Sequence, residues 1–155
     1  MKTALVLLLC LSCASVMALE TGERLALWTL LDQHDQSYTL DNHLQVLLVA
    51  RSMDAAKLVD AALQGKPKGY LEQRHTVFLA DISRMPKVIA SLFAIPKMRD
   101  YNYRILLDRD ARIAPRYPVD TPNVLWLDLR DGILQGQRSF ADATALSQAL
   151  EAVEQ

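Results

Sequence analysis

Few residues in this chain are suited to covalent chemistry, and their placement is restrictive. The 155 residues include two cysteines, Cys10 and Cys13, both within the first 18 positions. From Leu19 onward there is no thiol, and attack on a disulfide or peroxide through sulfur needs a thiolate. A hydroxyl at Ser52 would need an adjacent base to become a nucleophile. His43 and His75 are the candidates, and neither spacing nor motif ties them to Ser52. No Gly-x-Ser-x-Gly turn occurs. The three histidines, His34, His43 and His75, show neither zincin nor zinc-finger spacing. Asp108-Arg109-Asp110-Ala111-Arg112 starts like a calcium loop, but an arginine occupies the third ligand position and no glycine follows. The five glycines never form Gly-x-Gly-x-x-Gly, the dinucleotide fingerprint. These residues assign no catalytic group, no cofactor and no metal ligand.

Hydropathy patterning supplies the elements that would position any site. Residues 25–31 read as a strand, 32–37 as a turn and 38–40 as the returning strand. Residues 46–50, Val-Leu-Leu-Val-Ala, are a continuous apolar run, as a central strand buried on both faces requires. Arg51, Ser52, Met53 and Asp54 follow. Ala55, Leu58, Val59, Ala62 and Leu63 then recur at helical spacing, with Asp54 as the expected N-cap and Gly65 and Pro67 as the stop. Residues 76–80 form a second apolar strand. Residues 83–94 read as a helix with Pro86 in its first turn and Val88, Ile89, Leu92 and Phe93 packed inward. The irregular stretch 95–103 carries Tyr101 and Tyr103, which could line a groove.

Residues 124–129 alternate between two faces, Leu125, Leu127 and Leu129 on one and Val124, Trp126 and Asp128 on the other. Arg130-Asp131-Gly132 is a hairpin turn, and residues 133–138 return. Thr121-Pro122 stands just before this hairpin, where proline suits a strand start and a cis bond would be a deliberate shape feature. A last helix starts near Ser139, its expected N-cap, and buries Leu146, Ala149, Leu150 and Val153. No repeat or linker divides the chain, so residues 19–155 form one domain.

The order of these motifs resembles the thioredoxin-like superfamily. Asp120-Thr121-Pro122 ahead of an apolar strand, an Asp-Gly turn and a second strand is similar to the C-terminal half of that fold. Residues 104–117 are similar to the linker of periplasmic thiol–disulfide oxidoreductases and peroxiredoxin-like domains, and residues 27–40 to their opening hairpin. The resemblance spans most of residues 25–152. It implies a thioredoxin-like three-layer α/β/α fold: a mixed sheet with helices on both faces and a cis-proline at Pro122. It also implies a reactive Cys or Cys-x-x-Cys at the strand-to-helix junction, activated by the helix N-terminus. That junction here reads Arg51-Ser52-Met53-Asp54-Ala55-Ala56-Lys57-Leu58, with no cysteine in any register. What the resemblance leaves is a groove. Its candidate binding residues are Arg51, Ser52 and Asp54 on one side and Thr121, Pro122 and Asn123 on the other. Backbone beside a cis-proline suits an extended peptide adding by strand-like hydrogen bonds.

Compartment follows from the N-terminus. Lys2, the apolar run 4–11 and the small residues after it read as a secretory signal over residues 1–18. Val16 and Ala18 sit at the two small-residue positions, which places cleavage after Ala18 and the protein in the periplasm or outside the cell. A lipoprotein would use Cys13, but Cys10 stands where leucine is usual. The formal charge of the whole chain is −1, so there is no basic footprint for nucleic acid. No stretch after residue 18 is long and apolar enough to span a membrane. The expected function is a non-redox thioredoxin-like domain that binds or assists an envelope protein. An oxidoreductase dependent on flavin or on a redox partner is the alternative, and the absorbance of purified protein separates the two.

Overall fold

The computed structural model describes residues 19–154; the expected signal at residues 1–18 lies outside them. The strands are β1 (Thr29–Asp32), β2 (Ser37–Thr39), β3 (Val46–Ala50), β4 (Thr76–Asp81), β5 (Leu106–Asp108), β6 (Val124–Arg130) and β7 (Ile133–Phe140). They form one seven-stranded mixed sheet in the order β2-β1-β5-β4-β3-β6-β7. β3, β4 and β5 run parallel, and β6 returns antiparallel beside β3. The uninterrupted apolar run of β3 is buried at every position because it lies inside the sheet with both faces covered. Asp131 and Gly132 both take positive φ, which matches a two-residue turn to the twist of β6 and β7. A side chain at Gly132 would also strike Arg24 and Asn42 at 2.7 Å.

The helices are α1 (Met53–Ala62), α2 (residues 87–98) and α3 (Ala143–Glu151). All three pack on one face of the sheet. Ala55 and Val59 of α1, Ala90 and Ile95 of α2 and Leu146 and Leu150 of α3 bury against Val46, Leu48, Phe78, Leu107, Val124 and Trp126. The opposite face carries Leu47, Val49, Leu79, Leu106, Leu125, Leu127 and Leu129. It is covered by irregular chain: Leu25, Trp28, Leu40 and Leu44, with the 3-10 turn Ala114–Arg116. The β6 alternation therefore divides as its pattern requires. The layer expected to be helical is a single turn, because Pro115 and Pro118 stop a longer helix in the short link from β5 to β6.

Four local expectations are corrected. Ser52, not Asp54, caps α1: its backbone is extended, and its hydroxyl accepts from Ala55 N–H at 3.1 Å. Asp142 rather than Ser139 caps α3, accepting from Ala145 N–H at 2.8 Å, since Ser139 still belongs to β7. In α2 the inward stripe is Ala90 and Ile95, while Val88, Ile89, Leu92 and Phe93 face solvent. Residues 90–94 make a π-turn in which Ile95 N–H donates to Ala90 C=O, and Pro96, which cannot donate, sits at the start of the next α-helical segment. Finally, the peptide bond between Thr121 and Pro122 is trans, as are all those described. The strand begins at Val124, and residues 121–123 form a turn closed by Asn123 N–H to Asp120 C=O at 2.9 Å. That turn reverses the chain without a cis bond.

Candidate functional site

The C-terminal ends of β3 and β4 meet the start of α1 at one edge of the molecule. Arg51 leaves β3 there, Ser52 opens α1, and Asp81 closes β4. A cavity of about 500 Å³ opens beside them, bounded by α1, the residues leading into α2, and the 98–105 segment. Its apolar wall is made by Met53, Met85, Met98, Phe78, Ile105 and Tyr101. Thioethers adapt to varied apolar shapes, so a methionine-rich wall suits a side chain or flexible ligand rather than one fixed outline.

The polar groups at this edge are arranged unevenly. Asp81 accepts from Ser83 N–H at 3.0 Å and Ser83 Oγ–H at 2.6 Å. Arg51 Nε stands 3.9 Å from Asp81 Oδ2, close enough for Coulombic attraction and too far for a hydrogen bond. That Nε is buried and has no hydrogen-bond partner. Deeper in, Tyr103 donates its hydroxyl to Asp60 Oδ1 at 2.8 Å, and its ring stacks on Tyr101 at 5.2 Å. Burial raises the Tyr103 phenol, and Asp60, as acceptor and as nearby charge, raises it further. Burial and Asp60 raise Tyr101 likewise. Both hydroxyls stay protonated, so they serve as donors and not as bases.

The candidate residues read from the sequence divide. Arg51 and Ser52 line the cavity. Ser52 also donates its hydroxyl to the Thr121 carbonyl, which joins the two sides of the expected groove. Asp54, in the first turn of α1, and Thr121 and Pro122 are exposed and do not line the cavity. Asn123 is partly buried, donating Nδ2–H to Ser139 Oγ at 3.1 Å. With Thr121 C=O and Asn123 N–H both engaged and Pro122 lacking an N–H, this turn presents few backbone groups for an added strand. The cavity walls Met53, Met85, Met98 and Asp81 were not visible as a site in sequence. The aromatic pair at 101 and 103 was the one signal pointing there. His43 and His75 line a separate cavity of about 170 Å³, away from Ser52. Among the described residues no three His, Cys, Asp or Glu side chains converge as metal ligands.

This sheet order, with a helix starting at the end of β3 and a hairpin closing the sheet, is a thioredoxin-like α/β fold. Solved structures bear this out. A protein assigned as thiol:disulfide interchange protein DsbE from Chlorobium tepidum superposes with a TM-score of 0.58 at 15% identity, covering 88% of this chain and 99% of its own. The thioredoxin domain of a thiol-disulfide oxidoreductase from Bacteroides vulgatus does so with a TM-score of 0.55 at 14% identity, over 88% of this chain and all of its own. Peroxidoxin BcpB from Mycobacterium tuberculosis matches with a TM-score of 0.54 at 14% identity, over 89% of this chain and 100% of its own. No family model matches the sequence. No curated protein matches it either.

Proposed function

We propose that this chain is an exported thioredoxin-like binding domain that works without thiol chemistry, and that it holds an extended segment of another envelope protein. The observation that carries the reading is the 500 Å³ cavity at the start of α1, lined by three methionines, in a chain with no sulfhydryl from residue 19 onward. An apolar side chain of the ligand fills the cavity. Arg51 lines the cavity, and Asp54, Thr121, Pro122 and Asn123 are the residues proposed to contact the rest of the segment outside it. Methionine sulfur does not substitute for a thiolate, since a thioether oxidises stoichiometrically and does not turn over unaided. Fold likeness to oxidoreductases does not supply their chemistry.

A photo-crosslinker placed at Met53 should capture a partner from envelope extract. The affinity of that partner should fall at least tenfold on Arg51→Glu while the circular dichroism spectrum is kept. A partner whose affinity ignores Arg51, Asp54 and Thr121 alike would move the site elsewhere. A Cys10→Ser/Cys13→Ser chain should neither reduce insulin nor consume peroxide; turnover by it would overturn the reading. Export rests on Lys2, the apolar run and the small residues Val16 and Ala18. Intact mass beginning at Leu19 is the expected result, and a lipid on Cys13 would contradict it.

A further inference from the structure

We propose that the outward face of α2 docks on an anionic phospholipid surface. α2 is apolar on both sides. Its inward stripe, Ala90 and Ile95, is already buried in the core. Its outward stripe is larger: Val88 is 63% exposed, Ile89 45%, Leu92 64% and Phe93 64%. A helix that is apolar all round normally has neighbours all round. Among the described residues nothing covers these four, and none of them lines the cavity beside α1.

Charge selects the occupant. Arg84 and Lys87 precede the apolar face and Lys97 and Arg99 follow it, while no carboxylate lies between Asp81 and Asp100. Arg99 pairs with Asp35 at 3.4 Å; Arg84, Lys87 and Lys97 are exposed, and none is in an ion pair among the described residues. In a chain whose formal charge is −1, this local excess of cations is a marked asymmetry. Phosphate headgroups would meet the long basic side chains at the two ends of α2. Leu92 and Phe93 would enter the acyl boundary between them, the geometry of an interfacial helix. The stripe stands on a convex helix, which a deformable lipid layer accommodates without a preformed groove.

The absence of cysteine after residue 18 allows a local test on the exported protein. An environment-sensitive dye is attached at Ser91→Cys on α2, or at Gln148→Cys on α3 as a control. With vesicles of phosphatidylglycerol and phosphatidylcholine the dye at 91 should shift to the blue, and the dye at 148 should not. Pure phosphatidylcholine vesicles should give little shift, and 0.5 M salt should weaken the response. Leu92→Glu/Phe93→Glu should reduce vesicle co-sedimentation at least tenfold, and Lys87→Glu/Lys97→Glu several-fold, with the fold kept. No shift at 91, or equal shifts on both vesicle types, would overturn the proposal. So would a dimer in sedimentation equilibrium that Phe93→Glu dissolves, since a second copy would then own the face.

Discussion

The two faces of the sheet are closed in different ways. On the face covered by irregular chain, side chains pin the loops. Asp108, 1% exposed, accepts from the N–H groups of Arg112, Ile113 and Ala114 at 3.1, 2.8 and 2.8 Å. Trp28 donates its indole N–H to Tyr117 OH at 2.7 Å in the same layer. Asp32, at the end of β1, accepts from His34 N–H, Gln36 N–H and Arg104 Nε–H, each within 3.0 Å. On the helix-covered face lie the two buried side-chain atoms without a partner among the described residues, Arg51 Nε and Tyr70 OH, together with the cavity. The difference has a physical source. Loops have no ladder of their own, so buried carboxylates must satisfy their backbone. Helices satisfy most of their own backbone, so the polar side chains there serve helix ends and single gaps, as Arg74 does toward Leu150 C=O and Tyr103 toward Asp60 Oδ1, while Arg51 Nε is left without a partner.

The sharpest way to break this comparison is Asp108→Ala. The buried N–H groups of Ile113 and Ala114 and the partly buried one of Arg112 would lose their acceptor, and a loss on the order of 3 kcal/mol is expected in urea unfolding. A loss below about 1 kcal/mol would mean the loop layer is held by its apolar contacts instead. Asp32 gives the pH counterpart. Burial pushes its carboxyl up, but the His34 and Gln36 amides and the Arg104 guanidinium outweigh this and hold it below the ordinary value. A depressed folded pKa stabilises the protein above the unfolded carboxylate range, and that stabilisation is lost as pH falls through the folded value. Asp32→Asn should flatten this acid limb of the stability curve, checked by thermal unfolding between pH 2 and 6, roughly the range over which carboxylates titrate.

Two tyrosine truncations sharpen the contrast further. Tyr117→Phe leaves the Trp28 indole N–H buried without an acceptor and should cost about 1–2 kcal/mol. Tyr70→Phe removes a hydroxyl that is already unpartnered on the helix side, so it should be neutral or stabilise by up to about 1 kcal/mol. Equal losses in the two variants, measured by chemical denaturation, would erase the distinction between the faces.

Much of the frame was legible in the sequence because a period-2 alternation, and a five-residue apolar run too short for a helix, both read as strands. The 46–50 run, the 124–129 alternation and the Asp-Gly turn all fold as patterned. The 87–98 segment was not legible in that way. Val88, Ile89, Leu92 and Phe93 make a proper helical stripe, but so do Ala90, Ala94 and Ile95, and hydropathy alone favours the larger residues. The core on the helix-covered face of the sheet takes the smaller stripe instead. Caps were misread by proximity: Asp54 and Ser139 are capping types, yet Ser52 and Asp142 are the residues with extended backbone and a free amide within reach. The cavity was hidden because its walls come from distant segments, with only Tyr101 and Tyr103 hinting at it.

The smallest expected effects concern the rim of the site, and they decide which residue holds it. A cis bond at Pro122 was the expected shape feature here; with a trans bond in an exposed turn, the ring fixes little that the Asn123-to-Asp120 hydrogen bond does not. Ser52 instead serves two elements at once, accepting from Ala55 N–H at the start of α1 and donating to Thr121 C=O across the gap. Ser52→Ala should therefore cost about 1 kcal/mol through the lost cap and free the 121–123 turn, seen as faster amide exchange at Asn123. Pro122→Ala should stay within about 0.5 kcal/mol of the parent and leave that exchange nearly unchanged. If Pro122→Ala proved the more damaging of the two, the rim would depend on the proline ring after all, and the serine would be only a helix cap.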